Sequence, residues 1–384
     1  MAGLSTAEHQ RRVGLLHQLL DDEGLDALVL AANDYRGHKG TLRWVGDYNL
    51  AHRYGYAVIA PGCDPVLVLP VNLTMNPRGR GDVAVRYARR VADGLLEELG
   101  RGPAPRRIGV VGLGQVMKIE DYLAIAAAHP DAEIVDAGPA FERVRAIKSD
   151  EERAGVVEST RIAERCFARL LEVAGPGVSE RTIGAEVARV ALAEGGEDLL
   201  FLTMYGRDRG DGTVEGHFGQ AVDRLLAPGD LQIFSFEIVG PLGYWMELSR
   251  MVTIGPPSEL QQRMNAAVVA GMDAGTVALR PGADPPAAQR AIEAAVAEHG
   301  ARCAYWSGHG LGQDVLEEPW IGLDVVEDRA TGAMTIAEGM TLALHPYVVD
   351  AEDRAVGYMA DSLVVGADAT TAVSSLSRDI WSVA

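Results

Sequence analysis

The sequence predicts two domains of different class, an α/β domain over residues 1–145 and an α+β domain over residues 146–384. The length of 384 residues is sufficient for two domains with a hydrophobic core each. Strand-like and helix-like segments alternate through the first domain, which is typical of an α/β layer. In the second domain two long helical segments come first and strand patterns dominate afterwards, which indicates an α+β arrangement.

The elements of the first domain are predicted from apolar runs bounded by turn residues. The first helix is expected to begin at Ser5, because serine is a favoured N-cap residue. A Pro-Gly turn divides YAVIAPGCDPVLVLP (56–70) into two β-rich halves, which predicts a hairpin. The predicted helices are 5–22, 89–100 and 120–129, and the predicted strands are 26–32, 56–70 and 106–112.

The second domain is predicted to begin with one long amphipathic helix over residues 141–174. Ser149 and Asp150 form a favourable helix opening within it, and a second helix over 179–196 stops at a Gly-Gly pair. An antiparallel strand pair is expected at 230–240 and 243–255. The remaining predicted elements are helices at 265–280 and 287–300 and strands around 305–315, 340–349 and 356–366.

The charge of the chain limits its partners. The net charge is −19, so phosphate groups of nucleic acids or anionic membranes would be repelled. A cationic or zwitterionic small-molecule substrate fits this charge, although acidity also serves solubility alone. We therefore expect no nucleic-acid partner and no membrane partner.

Cysteine usage and the N-terminal segment indicate a cytoplasmic protein. Cys63, Cys166 and Cys303 are far apart and odd in number, which argues against a disulfide framework and against a zinc cluster. The N-terminal residues contain no apolar targeting segment, and no apolar run reaches the length of a membrane span.

Several histidines and carboxylates of the second domain are candidates for chemistry. His217 lies in TVEGHFG, Glu237 and Glu247 lie on successive predicted strands, and His309 and His345 lie in HGLGQDVLEE and LALHPYVV. A lone histidine after a loop is more often a surface residue, and paired strand glutamates usually face solvent. The apolar neighbours of Glu237 and His345 favour burial instead, and a buried polar group needs a partner or a function.

Five segments, in this order, resemble the creatinase, prolidase and aminopeptidase P family. They are RAIKSDEE (145–152), APGD…GYWMELSR (227–250), SGHGLGQDVLEEP (307–319), EGMTLALHP (338–346) and GYMADSLVV (357–365). The resemblance covers nearly the whole chain. It implies a creatinase-like α/β N-terminal domain followed by an α+β pita-bread (creatinase/aminopeptidase-like) catalytic domain.

The metallopeptidases of that family bind two metal ions through two aspartates, one histidine and two glutamates. The resemblance places these ligands, in chain order, at Phe236 or Ser235, Glu247, His309, His345 and Ala360. Glu237 lies beside the first position, and a one-residue shift is expected to point it to the other face of the strand. A second catalytic histidine of the family corresponds to Leu316.

These departures argue against a two-metal peptidase, because Phe236 and Ala360 cannot supply bridging carboxylates. The main expectation is a metal-independent hydrolase, without cofactor, that cleaves a C–N bond in a small amidine, guanidino or amide substrate. In this respect the chain resembles metal-independent creatinase and ectoine-hydrolase-like enzymes. Peptidase activity is not expected.

In this mechanism His217 is the general acid and base, because imidazole titrates near neutrality. Glu237 and Glu247 bind the cationic part of the substrate, or one of them acts as nucleophile. The predicted substrate-binding residues are His309, His345, Tyr244, Arg250, Tyr347 and Asp361.

Two alternatives remain open. Glu247, His309 and His345 could hold a single transition metal in a mononuclear hydrolase or lyase of the same fold. The chain could also be a non-catalytic binding protein on a peptidase fold. The family resemblance further implies a homodimer in which His52 and Arg53 of one chain reach the substrate site of the other.

Overall fold

The structure is a computed structural model that describes residues 3–70, 83–208, 214–323, 334–353 and 355–384. The chain divides into two compact units. Unit 1 is Met1–Arg145 with Gln313–Val315, and unit 2 is Ala146–Gly312 with Leu316–Ala384. The short segment Gln313–Val315 was not predicted to belong with the N-terminal residues. Within unit 1 it is held by Asp314, whose carboxylate accepts hydrogen bonds from the Gly40 backbone N–H and the Arg145 guanidinium, each at 2.6 Å.

Unit 1 is built on a six-stranded mixed sheet. Its helices are α1 (Thr6–Asp22), α2 (Gly40–Gly46), α3 (Val91–Leu99), α4 (Ile119–Ala128) and α5 (Gly138–Ala146), the last ending at the unit boundary. Its strands are β1 (Ala27–Asn33), β2 (Tyr54–Ile59), β3 (Val66–Leu69), β4 (Ala84–Tyr87), β5 (Arg107–Val111) and β6 (Glu133–Asp136). The strand order is β4-β3-β2-β1-β5-β6. The predicted 56–70 hairpin is confirmed as the antiparallel pair β2 and β3.

The side chains of β1 explain why helices cover both faces of this sheet. Leu28 and Leu30 pack with residues of α1, α2 and α5, whereas Val29 and Ala31 pack with residues of α3 and α4. Successive strand residues point to opposite faces, so an uninterrupted apolar strand needs a helical layer on each side. The predicted α/β class of the N-terminal part is confirmed.

In its described residues, unit 2 combines a large sheet, a small sheet and four helices. Its helices are α6 (Asp150–Val173), α7 (Glu180–Ala193), α8 (Glu259–Ala278) and α9 (Pro285–Ala297). Its first strands are β7 (Asp198–Asp208), β8 (Val214–Gly219), β9 (Leu231–Val239), β10 (Trp245–Ile254), β11 (Ala301–Cys303), β12 (Gly308–Gly310) and β13 (Glu317–Ile321). The later strands are β14 (Thr341–Leu344), β15 (Tyr347–Asp350), β16 (Val356–Tyr358), β17 (Ala360–Val365), β18 (Thr370–Ala372) and β19 (Trp381–Val383).

The large sheet of unit 2 is covered by two helix pairs. Its main strand order is β13-β12-β14-β17-β10-β9-β7-β8, with β18 beside β17 and β19 beside β10. Phe234 and Phe236 of β9 pack with residues of α6 and α7, while Ile233 packs with residues of α8 and α9. The small sheet has the order β11-β15-β16. This architecture confirms the predicted α+β class.

The predicted single helix over residues 141–174 is wrong, because two helices occupy this stretch. Ile147 forms a β-bridge with Met340, and the Lys148 N–H donates to the Gly339 carbonyl at 3.0 Å, which interrupts the helical hydrogen bonds. Ser149 then caps α6, and its side chain and that of Glu152 form a reciprocal capping box. A strong N-cap inside an amphipathic run therefore marks a new helix.

None of the helices in the described part of the chain combines the length and the apolar composition that crossing a bilayer requires. The three cysteines are free thiols.

Candidate metal centre

The strand pair β9 and β10 places two carboxylates side by side. Glu237 lies directly opposite Glu247 in the antiparallel register, so both side chains point to the same face of the sheet. Phe236 points to the other face and is part of the core beneath α6 and α7. The expectation that a one-residue shift turns Glu237 away from the site is therefore wrong. Both carboxylates are buried.

The short strand β12 brings His309 into the sheet between two glycines. A Cβ atom on Gly308 would lie 2.3 Å from the Ala343 carbonyl oxygen, and one on Gly310 would lie 2.0 Å from the Glu318 carbonyl oxygen. Only glycine allows the neighbouring strands β14 and β13 to approach so closely. The glycine frame in the sequence thus positions the His309 backbone.

Glu247, His309 and His345 converge on one point. Their ligand atoms all lie within 4.8 Å of one another, and all three residues are buried. β10 and β12 are separated by β17 and β14, so their axes would be roughly 14 Å apart in a flat sheet. The His309 Nε2 nevertheless lies 3.1 Å from a Glu247 carboxylate oxygen. The curvature of the sheet therefore creates this cluster.

The contacts of His309 require either a proton or a metal ion beside its Nε2. Its Nδ1 lies 2.8 Å from the Gly310 carbonyl oxygen, which can only accept, so Nδ1 carries a proton. In neutral imidazole Nε2 then presents a lone pair to the Glu247 carboxylate. Two acceptors at 3.1 Å repel each other unless a proton or a metal ion lies between them.

His345 also has a free ligand atom. Its Nδ1 is buried and has no hydrogen-bond partner among the described residues. Burial lowers the pKa of His345 to about 4, against the opposing effect of Glu247, so the imidazole is neutral near pH 7. A neutral, desolvated imidazole nitrogen is a good ligand for a transition metal.

The carboxylate of Glu247 is ionised in this environment. Burial acts to raise its pKa, but the attraction of the His309 and His345 imidazoles in their protonated forms, together with the His309 hydrogen bond, outweighs burial, so the net effect is a lowered pKa. The Ser362 hydroxyl contacts both backbone groups of Glu247, at 2.9 Å to the nitrogen and 3.1 Å to the oxygen. Two imidazoles and one carboxylate are a known set for a single catalytic zinc or iron ion, and the residues present fit such an ion.

Several aromatic residues near this cluster were missed in the sequence analysis. The Trp306 ring lies 5.0 Å from the His345 ring and 5.7 Å from the His309 ring, and it meets Trp320 edge-on at 4.8 Å. Tyr305 stacks on Tyr347 at 5.5 Å. The run AYW before SGHG was the available signal, because large aromatics beside a glycine-framed histidine favour a lined pocket.

His217 is not brought to this cluster. It lies within β8, at the edge of the large sheet. It is opposite Tyr205, which packs with residues of α6 and α7, so its side chain points away from the face that carries Glu237 and Glu247. Its Nε2 contacts the Gln220 carbonyl at 3.2 Å.

Three predicted substrate-binding residues have structural partners instead. The Tyr244 hydroxyl donates to Glu152 of α6 at 2.8 Å. Arg250 donates to Asp361 at 2.8 Å, and both side chains are almost fully buried. The second carboxylate oxygen of Asp361 pairs with Arg378 at 2.8 Å, so both of its oxygens have structural partners.

The remaining residues that were predicted to bind substrate are Tyr347 in unit 2 and His52 and Arg53 in unit 1. Tyr347 is half-buried on β15, next to the histidine cluster through Tyr305 and Tyr358. His52 and Arg53 belong to unit 1 and are exposed. Their predicted roles in substrate binding stay predictions.

The fold and the cluster define a class, a pita-bread hydrolase with a candidate metal centre. The sequence model of metallopeptidase family M24 matches residues 154–367. The chain belongs to this family, which confirms the predicted relationship to creatinase, prolidase and aminopeptidase P.

The individual relatives have low sequence identity to this chain. The chain is 27% identical to "Uncharacterized peptidase YqhT" of Bacillus subtilis over 227 residues, 59% of this chain and 61% of the relative. It is 26% identical to "Probable dipeptidase PepE" of Mycobacterium tuberculosis over 211 residues, 54% of this chain and 52% of the relative. The matched stretch thus spans between about half and three fifths of these curated relatives.

Solved structures support the fold. The crystal structure of dipeptidase PepE from Mycobacterium ulcerans aligns with a TM-score of 0.81 and 22% identity, covering 100% of both chains. The Xaa-Pro dipeptidase from Bacillus anthracis aligns with a TM-score of 0.78 and 19% identity, covering 98% of this chain and 100% of that chain.

These findings correct two expectations. Metal-independent C–N hydrolysis with His217 as acid and base is wrong, because the relatives are peptidases and Glu247, His309 and His345 form a candidate metal site. The expectation that peptidase activity is absent is wrong for the same reason. The mononuclear alternative agrees better with the site.

Proposed function

We propose that this chain is a single-metal hydrolase that cleaves a peptide-type amide bond in a small substrate. The observation that carries the proposal is the convergence of Glu247, His309 and His345 within 4.8 Å in the interior of unit 2. The membership of family M24 supports the reaction class.

A single ion is proposed because the donor set is small. Phe236 and Ala360, where the resemblance places two further ligands, carry no donor atom, and Glu237 is not part of the close ligand group. In this respect the chain is a divergent member of its family. A bound divalent ion supplies Lewis-acid polarisation of the scissile carbonyl and acidifies water.

Glu237 is the proposed proton carrier. It faces the same side as Glu247 from the neighbouring strand and is 7% exposed, so its carboxylate borders the cluster. A carboxylate in this position accepts a proton from the attacking water and returns it to the leaving amine nitrogen. The His309 Nδ1–H bond to the Gly310 carbonyl keeps Nε2 directed at the centre during this process.

Dipeptides are the proposed substrate class to examine first. Relatives and structural neighbours are named as dipeptidases, among them the probable dipeptidase PepE and the Xaa-Pro dipeptidase. A zwitterionic dipeptide also agrees with the net charge of −19, which disfavours polyanionic partners.

The proposal is tested by metal content and hydrolysis in matched histidine variants. Wild type, His309→Ala, His345→Ala and His217→Ala are each loaded with Zn²⁺, Mn²⁺ or Fe²⁺, dialysed and analysed for metal per chain, and a dipeptide panel is assayed. We expect one ion and hydrolysis in wild type and in His217→Ala, because His217 points away from the cluster. Both should be lost in the other two variants, since each removes one of three ligands.

Three results would contradict the proposal. Two ions per chain would mean that ligands outside the three residues exist. Bound metal that persists in His309→Ala would place the ion elsewhere. One bound ion without hydrolysis of any dipeptide would contradict the proposed dipeptidase activity.

Other properties remain predictions. The homodimer, the approach of His52 and Arg53 to a second chain, the cytoplasmic location and the absence of nucleic-acid and membrane partners are each proposed from the sequence.

A further inference from the structure

A row of aromatic side chains in unit 2 ends at the candidate metal centre. The Tyr305 and Tyr347 rings stack at 5.5 Å with an interplanar angle of 17°. Tyr358 lies 6.1 Å from Tyr347 and 6.1 Å from His345, and Phe218 lies 6.2 Å from Tyr347. The proposed hydrolytic chemistry uses none of these four rings.

The same rings lie next to the two carboxylates of β9 and β10. The Tyr358 hydroxyl is 3.5 Å from the Ser235 hydroxyl, and Ser235 is on the same strand face as Glu237. Burial raises the pKa of both Tyr305 and Tyr358, and the negative charge of Glu247 raises it further, with Glu237 contributing to both. The rings and the carboxylates therefore border the same space.

The row also connects the buried cluster to solvent. Phe218 is 53% exposed and Tyr305 is 37% exposed, whereas Tyr358 is only 4% exposed. A substrate that reaches Glu247 from outside along this row would pass over the rings.

We propose that Phe218, Tyr347, Tyr305 and Tyr358 form a subsite for a cationic organic group of the substrate, an ammonium or a guanidinium group. This inference rests on the proposed function, because it names the substrate class of the same site. The face of an aromatic ring attracts a cation through its quadrupole, and Glu237, which faces the same side and is outside the proposed ligand set, adds the attraction of a carboxylate. A neutral apolar group would gain only from burial.

The subsite is tested with small probes and metal-free protein. Choline, methylguanidinium and 3,3-dimethylbutan-1-ol, the uncharged carbon analogue of choline, are titrated against chelator-treated protein, and binding is followed by NMR line broadening of each probe. We expect one or both cations to bind roughly 2- to 30-fold more tightly than the neutral analogue. The ratio of choline to methylguanidinium binding distinguishes an ammonium from a guanidinium site.

Matched variants locate the binding. Tyr347→Leu should remove most of the preference for the cation, whereas Tyr347→Phe, which keeps the ring, should retain it. Tyr87→Leu, at an exposed tyrosine of unit 1, is the control and should change nothing. If Tyr347→Leu does not fold, as judged by circular dichroism, the exposed Phe218→Leu replaces it.

Equal binding of choline and its neutral analogue would overturn the subsite and indicate an apolar pocket only. Cation preference that survives both Tyr347→Leu and Phe218→Leu would place the cation elsewhere and also overturn it. Because the titration uses metal-free protein, its outcome is separate from that of the proposed function. If the protein binds the cations selectively but never binds a metal ion, the hydrolase proposal is contradicted and the subsite proposal is not.

Discussion

At the scale of single residues, Arg250 and Asp361 illustrate how a buried polar residue can be structural. Their charges neutralise each other at 2.8 Å, and the Arg250 guanidinium also donates to the carbonyls of Ser377, Leu376 and Ala360. His345, by contrast, keeps a buried Nδ1 without a partner among the described residues. The unsatisfied atom, and not burial itself, distinguishes the candidate ligand from the structural pair.

We predict that Asp361→Ala destabilises the fold and that the affinity for the substrate is not directly affected. Removal of the carboxylate leaves the Arg250 charge buried, which costs about 3–5 kcal/mol. Glu172→Ala is the control, because Glu172 is 64% exposed and pairs with the partly exposed Arg169 away from Asp361, so the cost should stay below about 1 kcal/mol. Urea unfolding measures both. Unchanged stability with weakened substrate binding would instead support the role predicted from sequence.

At the scale of elements, two glycines allow the strand β12 to fit into the large sheet. It is only three residues long, yet it lies between β13 and β14 and carries His309. Its neighbours can approach because Gly308 and Gly310 have no side chains, and the Gly310 carbonyl also orients the imidazole. The strand is therefore part of the metal centre as well as of the sheet.

We predict that Gly310→Ala weakens metal binding. The added Cβ would lie 2.0 Å from the Glu318 carbonyl oxygen, so the backbone must shift and the carbonyl that holds His309 Nδ1 moves with it. Loss of such an outer contact lowers metal affinity roughly 10- to 100-fold. Gly114→Ala is the control, because nothing lies within 4 Å of its added Cβ. Equal metal affinity in the two variants, measured by competition with a chromophoric chelator, would disprove this role of Gly310.

At the scale of the whole molecule, the buried cluster couples protonation to unfolding. His345 has a pKa of about 4 in the folded chain and an ordinary value of 6.5 when unfolded. Between these values the unfolded state binds the proton more strongly, so stability is complete above pH 6.5 and falls as the pH decreases towards 4. The lowered pKa of Glu247 acts in the same direction.

We predict that metal-free protein loses on the order of 3 kcal/mol of stability from His345 alone between neutral pH and pH 4. Thermal unfolding after chelation, repeated across this pH range, measures the loss. His345→Gln should flatten the pH profile, while His52→Gln, at an exposed histidine, should leave it unchanged. Identical profiles in all three proteins would show that His345 is not buried in its neutral form.

The class of both units, most element positions and the family could be predicted from the amino-acid sequence, because hydrophobic periodicity, caps and turn residues act locally. His309 and His345 were also found as candidates from their local context. The orientation of Glu237 towards the site, the orientation of His217 away from it, and the pairing of Arg250 with Asp361 required the three-dimensional structure. Strand register and sheet curvature depend on contacts between distant segments, and a register shift of one residue reverses the face of every side chain.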